Sequence, residues 1–227
     1  DAFQSIDLTE QIVVPKTYII PKAEKPIEID GKAERAWNSV SFTSSFIDIE
    51  GVKTPEFDTR VKMLWDESFL YVYAELEEPN IWGNLKQRDT IIYLNNDFEV
   101  FIDPSARTEA YAEIEINALN TVWDLLLNKP YRSGGYANFH WNLNELKTAV
   151  FLDGTVNDNS DVDKKWSVEM AIPMDALIEL KNDKRKKIEE GDQWRMNFSR
   201  VQWEFDIENG SYARKKVDGK LLPENNW

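Results

Sequence analysis

The segment LNNDFEVFIDP (94–104), followed after a short turn by AEIEINALNTVWDLLL (112–127), decides how the rest of the chain is read. In the first part Phe98, Val100 and Ile102 alternate with Glu99, Phe101 and Asp103, and in the second Ile114 and Ile116 alternate with Glu113, Glu115 and Asn117. Successive side chains of a strand point to opposite faces, so each segment hides an aliphatic face and turns carboxylates and an amide the other way. Two such strands in succession predict a sheet packed on one side, with a polar working surface on the other.

Working outward, 59–65 sets Val61, Met63 and Trp65 against Arg60 and Lys62. After a WDES turn, 70–76 sets Leu70, Val72, Ala74 and Leu76 against Tyr71, Tyr73 and Glu75, which predicts a hairpin. Further strands are expected at 146–152, at WSVEMAI (166–172) and at 193–203, where Trp194, Met196 and Phe198 alternate with Arg195, Asn197 and Ser199. Helix is sparse. One or two helical turns with Ala33, Ala36 and Trp37 facing inward follow the Asp30-Gly31 turn, and an amphipathic helix starts after Pro173 with Met174, Leu177 and Ile178 at helical spacing. The fold expected is mainly β, an antiparallel β-sandwich of about eight to ten strands with one or two short helices. Residues 1–21 read as an arm laid along the domain and 22–227 as one sandwich domain, a plausible size for a single all-β unit.

Composition narrows the function. A net charge of -14 argues against nucleic acid, which requires clustered Lys and Arg, and favours neutral polar ligands or Ca²⁺. The absence of Cys removes disulfides, thiolate metal sites and a Cys nucleophile; the single His, His140, removes a multi-His metal site. No apolar run reaches the ~20 residues of a membrane-spanning helix, and the polar start at Asp1 does not read as a signal peptide. Nine Trp, eight Tyr and eleven Phe exceed the needs of a core this size, so some aromatics are expected at the surface. The connection 77–94 carries Trp82 and Tyr93, and the loop 128–144 carries Tyr131, Tyr136, Phe139, His140 and Trp141 around Gly134 and Gly135.

The ordered motifs IDGKAERAW (29–37), VKMLWDESFLYVYAELEEPNIWG (61–83), NDFEVFIDP (96–104), EINALNTVWDLLL (115–127), WSVEMAIP (166–173) and NFSRVQW (197–203) resemble the family 9 carbohydrate-binding modules of glycan-degrading bacteria, over 27–203. The resemblance implies an immunoglobulin-like or jelly-roll-like sandwich that binds sugars without catalysis. It further implies export to the periplasm, cell surface or medium, association with glycoside hydrolases, an oligo- or polysaccharide partner, and calcium in structural roles with no cofactor required. On this sequence the aromatic wall of the family's slot falls near Tyr93, its strand glutamate on Glu99 and its amide on Asn117, while its arginine falls at about Glu115. The family's second wall comes from a C-terminal segment, and the strand that usually closes the domain is expected beyond Trp227.

Sugar rings stack their C–H faces on aromatic rings and take planar hydrogen bonds from amides, carboxylates and Arg. The carbohydrate-binding set expected is therefore Trp82, Tyr93, Glu99, Asn117, Trp123, Tyr131, Arg132 and Trp141, with Trp203 on the polar side of its strand. The ordinary role of a Trp in a sandwich is core packing, and Trp37, Trp65, Trp166 and Trp194 are assigned there. Trp82, Tyr131 and Trp141 lie in polar loops, which favours exposure. Other chemistries remain open. Glu99 with Glu115 could serve as a glycosidase pair at about 5–5.5 Å for retention or about 6.5–9.5 Å for inversion. Asn157, Asn159, Asp161 and Asp163 alternate in an oxygen-rich turn that could hold Ca²⁺, although the glycine and terminal Glu of an EF-hand loop are missing and a solvated turn is the commoner outcome. His140 with Met63, Met170, Met174 or Met196 could ligate haem. The run 181–187 reads as a solvated loop.

Overall fold

The computed structural model describes residues 15–181 and 187–227. The first hairpin forms where the alternation places it, as β1 (Thr59–Trp65) paired antiparallel with β2 (Phe69–Glu77). The two strands of the opening stretch are β3 (Asp97–Asp103) and β4 (Tyr111–Asn117); they are followed by β5 (Val122–Leu127) and the short β6 (Ala137–Asn138). Next come β7 (Lys147–Asp153), β8 (Lys165–Pro173), the helix α1 (Met174–Lys181) and β9 (Arg195–Gln202). Five short strands finish the chain: β10 (Phe205–Glu208), β11 (Ser211–Arg214), β12 (Lys216–Val217), β13 (Lys220–Leu221) and β14 (Asn225–Asn226). They assemble into a four-stranded sheet of order β1-β2-β8-β7 and a six-stranded sheet of order β14-β9-β3-β4-β5-β6, with two small hairpins, β10-β11 and β12-β13. All pairings between the strands are antiparallel, so the expected sandwich is present.

The main core lies between the sheets. Val61, Met63, Val72, Ala74, Val168 and Met170 of the four-stranded sheet meet Phe98, Val100, Ile102, Ile114 and Ile116 of the six-stranded one, and Met174 and Leu177 of α1 join them. Pro173 just ahead of α1, Asp175 in its first turn and Lys181 in its last suit the helix dipole. The four-stranded sheet is apolar on its other face as well: Leu64, Tyr71, Tyr73 and Ala171 pack against Ile27 and Trp37. This explains why Tyr71 and Tyr73, which alternation alone puts on a solvent face, are 1% exposed.

What holds that outer layer is a carboxylate. Glu169 of β8, completely buried, accepts hydrogen bonds from the backbone N–H groups of Asp30 (2.9 Å) and Gly31 (2.8 Å) on one oxygen and from Trp37 Nε1 (2.7 Å) on the other. Trp37 sits in a 3-10 turn, Arg35–Ser39, and not in a longer helix; Ala33 faces solvent, correcting its inward assignment. Gly31 has φ +84°, and a Cβ there would stand 2.6 Å from the backbone nitrogen of Phe151. Gly31→Ala is expected to destabilise the fold by more than about 1 kcal/mol, because it combines a positive φ with a backbone collision. A thermal melt checks this, with a fall of at least roughly 2–4 °C expected.

In the described part of the N-terminal arm, Pro21 accepts the Trp65 backbone N–H of β1 (3.2 Å), and Tyr18 donates its hydroxyl to the Ser41 carbonyl (2.6 Å). The first fourteen residues of the arm and residues 182–186 of the lysine-rich run lie outside the described residues. At the other end β14 pairs with β9, so the six-stranded sheet takes an edge strand from the last residues of the chain.

Candidate functional site

The outer face of the six-stranded sheet carries the carboxylates anticipated from 94–127. Glu99 stands directly opposite Glu115 across β3 and β4 and opposite Ser199 across β3 and β9, while Glu113 faces Phe101 one rung along. Asp97 precedes Glu99 by two residues and so shares its face. All four carboxylates are buried: Asp97 is 0% exposed, Glu115 2%, Glu113 4% and Glu99 8%. One oxygen from each of Asp97, Glu99 and Glu115 lies within 4.8 Å of the others. Among the described residues no Lys or Arg pairs with any of the four.

Electrostatics follow from that crowding. Burial, then repulsion from Glu99 and Glu115, holds the Asp97 carboxyl well above the usual carboxylate range. Burial pushes Glu99 up to about 7. Burial and the Glu99 charge raise Glu113 to about 8, and burial with Glu99 and Glu113 raises Glu115 to about 10. A face that reads as a row of surface glutamates is therefore a cluster that stays largely protonated up to neutral pH, with Glu99 the first of the three glutamates to ionise, near 7.

Aromatic rings ring it. The backbone N–H of Tyr93, in a 3-10 turn Ile92–Leu94, donates to Glu115 Oε2 (3.0 Å), and the Tyr131 hydroxyl donates to Glu113 Oε2 (3.5 Å). Trp123 of β5 lies opposite Glu115, 6.4 Å from the Tyr93 ring and stacked on Phe139 at 5.4 Å. Tyr93, Tyr131 and Phe139 are exposed at 39%, 56% and 55%, while Trp123 is 7% exposed and backs the Tyr93 ring. Arg132 is exposed on the Tyr131 turn.

The structure thus brings together Tyr93, Glu99, Trp123 and Tyr131 from the expected set, with Arg132 nearby in the chain and Asn117 opposite Asp97, and it places Trp82 and Trp141 elsewhere. Trp82, expected to be exposed, is 3% exposed and stacked on Tyr212 at 6.4 Å, because the segment after β2 folds against β9 and makes a cluster with Val201 and Trp203. Trp141 is half-buried and packs on the main core, correcting its exposed assignment. Trp203 is buried too, and its Nε1 supports the site by donating to the Tyr93 carbonyl (2.8 Å). Asn117 has no polar atom to spare. Its Nδ2 donates to the carbonyl of Leu85 (2.9 Å) and to Asn95 Oδ1 (3.3 Å), and its Oδ1 accepts the N–H groups of Leu119 and Thr121 (both 3.0 Å). It ties together the loops beside the site.

The oxygen-rich turn does not present a free ligand set. Asp163 is buried and spends its oxygens on Thr155 N (2.6 Å) and Ile81 N (2.7 Å); Asn157 exchanges two hydrogen bonds with the backbone of Gly83; Asp161 accepts the Thr155 hydroxyl (2.8 Å). Asn159 is exposed. These groups clamp two loops together. His140 is exposed whereas Met63, Met170 and Met174 lie in the main core, so the residues of the haem reading are not brought together. Sequence reasoning passed over three residues that the site contains: Asp97, Glu113 and Phe139. The first two were legible from parity alone, since they share the faces of Glu99 and Glu115; Phe139 carried no such signal, because loop residues have no period.

Comparison with known proteins agrees with this architecture. A family model described as "Carbohydrate family 9 binding domain-like" matches residues 29–189. Two solved structures of a family 9 carbohydrate-binding module from Caldicellulosiruptor kristjanssonii, one in complex with glucose and one with cellotriose, superpose with TM-scores of 0.52 and 0.51 at 17% identity. They cover 91% of this chain and 84% and 82% of their own. Endo-1,4-beta-xylanase C of Paenibacillus barcinonensis is 28% identical over 86 residues, which is 37% of this chain and 7% of the xylanase. The chain therefore spans only a small part of that relative's length. No helix among the described residues is long and apolar enough to cross a membrane. The family match runs through more than half of the sequence, from the Asp30-Gly31 turn past the end of α1, and the chain belongs to the carbohydrate family 9 binding domain-like family.

Proposed function

We propose that the protein is a non-catalytic carbohydrate-binding module that captures oligo- or polysaccharide on the outer face of its six-stranded sheet, in the service of polysaccharide breakdown. The observation that carries this reading is the pair of exposed rings, Tyr93 and Tyr131, held beside the buried cluster by the Tyr93 backbone N–H on Glu115 and the Tyr131 hydroxyl on Glu113. A sugar ring has an apolar C–H face and an equatorial rim of hydroxyls, so rings beside carboxyl groups match both. In this reading Tyr93 and Tyr131 stack, Trp123 and Phe139 stiffen the Tyr93 side, and Glu99, Glu113 and exposed Arg132 take hydroxyls. Support also comes from the family's name and from the sugars in the two similar structures. A place outside the cytoplasm, alongside glycoside hydrolases such as the partly similar xylanase, fits the same reading.

Affinity electrophoresis through a panel of soluble glycans tests it. Tyr93→Ala and Tyr131→Ala should each weaken retardation by about 1–2 kcal/mol, roughly 5- to 30-fold, while leaving the melting temperature near wild type. Failure of the wild-type protein to be retarded by any glycan overturns the reading.

One observation favours a second reading, a retaining glycoside hydrolase. Glu99 and Glu115 face each other directly with oxygens within 4.8 Å, near the separation of about 5–5.5 Å that retention uses. Against it, burial raises both carboxyls, Glu99 to about 7 and Glu115 to about 10, so the nucleophile this reading needs is only about half-ionised near neutral pH. Release of reducing sugar that Glu99→Gln abolishes would replace the binding reading with this one.

A further inference from the structure

The loop 128–144 carries aromatic surface that the carboxylate cluster does not use. Tyr136 is 68% exposed and Phe139 55%, and both line a groove of about 480 Å³ beside β6, the last strand of the six-stranded sheet. That volume falls within the range of small-ligand sites, about 300–1,000 Å³. Leu126 and Ala137 give the groove apolar lining, and Asn128, Asn138 and His140 add polar groups. No charged side chain lines it, in a chain where 30% of residues are charged.

The backbone fixes the groove's walls. The N–H of Asn128 donates to the Tyr136 carbonyl (3.2 Å), and Asn128 Oδ1 accepts the Tyr136 N–H (2.8 Å), so the base of the loop is clamped. Inside the clamp the chain folds tightly: a Cβ on Gly135 would stand 1.9 Å from the Lys129 carbonyl oxygen. Asn138 Oδ1 accepts the His140 N–H (3.1 Å). Each amide is thus anchored through its oxygen, while both Nδ2 groups, the Tyr136 hydroxyl and the His140 ring make no hydrogen bond among the described residues. An amide nitrogen offers two donors, and a phenol and an imidazole can each give and accept. Uncommitted donors and acceptors beside exposed rings, with no charge among them, match a ligand that has an apolar face and a rim of hydroxyls. The groove also joins the face described above. Phe139 stacks on Trp123 at 5.4 Å and Trp123 lies 6.4 Å from the Tyr93 ring, so a row of three rings runs from the groove to Tyr93.

We propose that the β6 groove is an additional sugar subsite, in which Tyr136 and Phe139 take the apolar face of one uncharged sugar residue and Asn128, Asn138 and His140 take its hydroxyls. One oligosaccharide chain then runs from Tyr93 past Phe139 to Tyr136. This rests on the carbohydrate reading and sharpens its ligand to a neutral glycan of several residues, held at two places along its length.

The test uses the intact chain and a ladder of oligosaccharides, two to six residues long, cut from whichever soluble neutral glycan retards the wild-type protein most in affinity electrophoresis. Calorimetry measures each Kd. Wild-type affinity should rise at least about 10-fold from the shortest to the longest member. Tyr136→Ala should weaken the longest about 3- to 10-fold, as expected for losing one stacked ring, and leave the shortest within about 2-fold. Tyr93→Ala should weaken both ends of the ladder. Phe139 is left intact because it also backs Trp123. The Tyr136 side chain is exposed and unbonded, so Tyr136→Ala should melt at the wild-type temperature, and circular dichroism confirms that it is folded. The proposal is overturned by wild-type affinity that does not rise with length, by a Tyr136→Ala variant that keeps the full gain, or by one that weakens short and long members equally. In each of those outcomes the wild type still binds a glycan, so the carbohydrate reading stands and only the subsite falls. Retardation by charged glycans alone likewise overturns the subsite and spares that reading, whereas retardation by no glycan at all removes both.

Discussion

Replacing Arg200 with Met should lower stability by about 3–5 kcal/mol, a fall in melting temperature of roughly 6–20 °C, making it one of the most damaging single changes in the protein. Arg200 is 0% exposed and lies on the core-facing side of β9, opposite Phe98. Its guanidinium donates to Glu78 Oε2 (3.0 Å), to Thr59 Oγ1 (3.1 Å) and twice to Gln202 Oε1 (3.0 and 2.8 Å). Glu78 in turn accepts from Gln202 Nε2 (2.9 Å), Asn96 Nδ2 (3.1 Å) and the Asn80 backbone (3.1 Å). Even with Arg200 in contact, burial outweighs the opposite charge and pushes the Glu78 carboxyl up, so a Glu78 stripped of its partner would be a buried acid with nothing to balance it. Removing one partner of such a pair costs far more than the pair contributes. Adding Glu78→Gln to Arg200→Met should therefore recover part of the loss, and a double-mutant cycle of melts in urea measures how much. Two equal and additive losses would mean that the pair is not coupled. Arg200→Lys should fall between, since an ammonium cannot reproduce the forked contacts.

The loss should also reach the binding face. Asn96 holds the Trp203 backbone through its Oδ1 (2.8 Å), and Trp203 holds the Tyr93 carbonyl. A chain of hydrogen bonds thus runs from the buried ion pair to the turn that presents Tyr93. In sequence terms, the glutamate of ELEEPNIWG and the arginine of NFSRVQW are two ends of one contact, which gives a physical reason for those motifs to occur together. The Asp30-Gly31 turn and Glu169 of WSVEMAIP stand in the same relation across the other sheet.

Much of this was legible in the sequence, and the parts that were not share a cause. Strand alternation located β1, β2, β3, β4, β8 and β9, and helical spacing located α1, because each has one face against the main core. Alternation failed at Tyr71 and Tyr73, since a period of two cannot say that a sheet is covered on both sides. It was silent on Arg200, which sits at an apolar-side position of β9 and looks like an exception to the pattern until Glu78, 122 residues away, is placed against it. Trp82 was misread for a similar reason. Its neighbours are polar, but Tyr212 stacks on it, and a loop's burial is decided by segments distant in the chain. At the site, the carboxylate face could be read and its burial could not. Glu99 and Glu115 pass for ordinary surface residues until Tyr93, Trp123 and Tyr131 are seen to roof them.

That burial makes the protein's stability depend on pH in an uncommon direction. In EDTA, melting temperature should fall as pH rises from about 5 to 7, and continue falling towards 9. The groups that face one another are Asp97 and Glu99 from β3, Glu113 and Glu115 from β4, Tyr131 from its turn, and Glu224, whose charge adds to the pressure on Glu99. Glu99, Glu113 and Glu115 titrate near 7, 8 and 10 in the fold, against an ordinary value of 4.5. A carboxyl whose folded value is raised binds its proton more tightly when folded. Its contribution is therefore fully present below about pH 4.5 and is lost as pH climbs through the folded values. Each such group gives a slope of about 1.4 kcal/mol per pH unit while it is protonated in the fold and ionised in the unfolded chain. Taking one group's worth as the minimum, two pH units cost about 3 kcal/mol, or roughly 6–12 °C. Most proteins instead lose stability on the acid side, where paired carboxylates must take up protons. Glu115→Gln should flatten the curve by removing one of the strongly raised groups. A wild-type curve in EDTA that is level or rising between pH 5 and 7 would show that these carboxylates are ionised in the fold, and that the cluster is wetter and more open than its burial indicates.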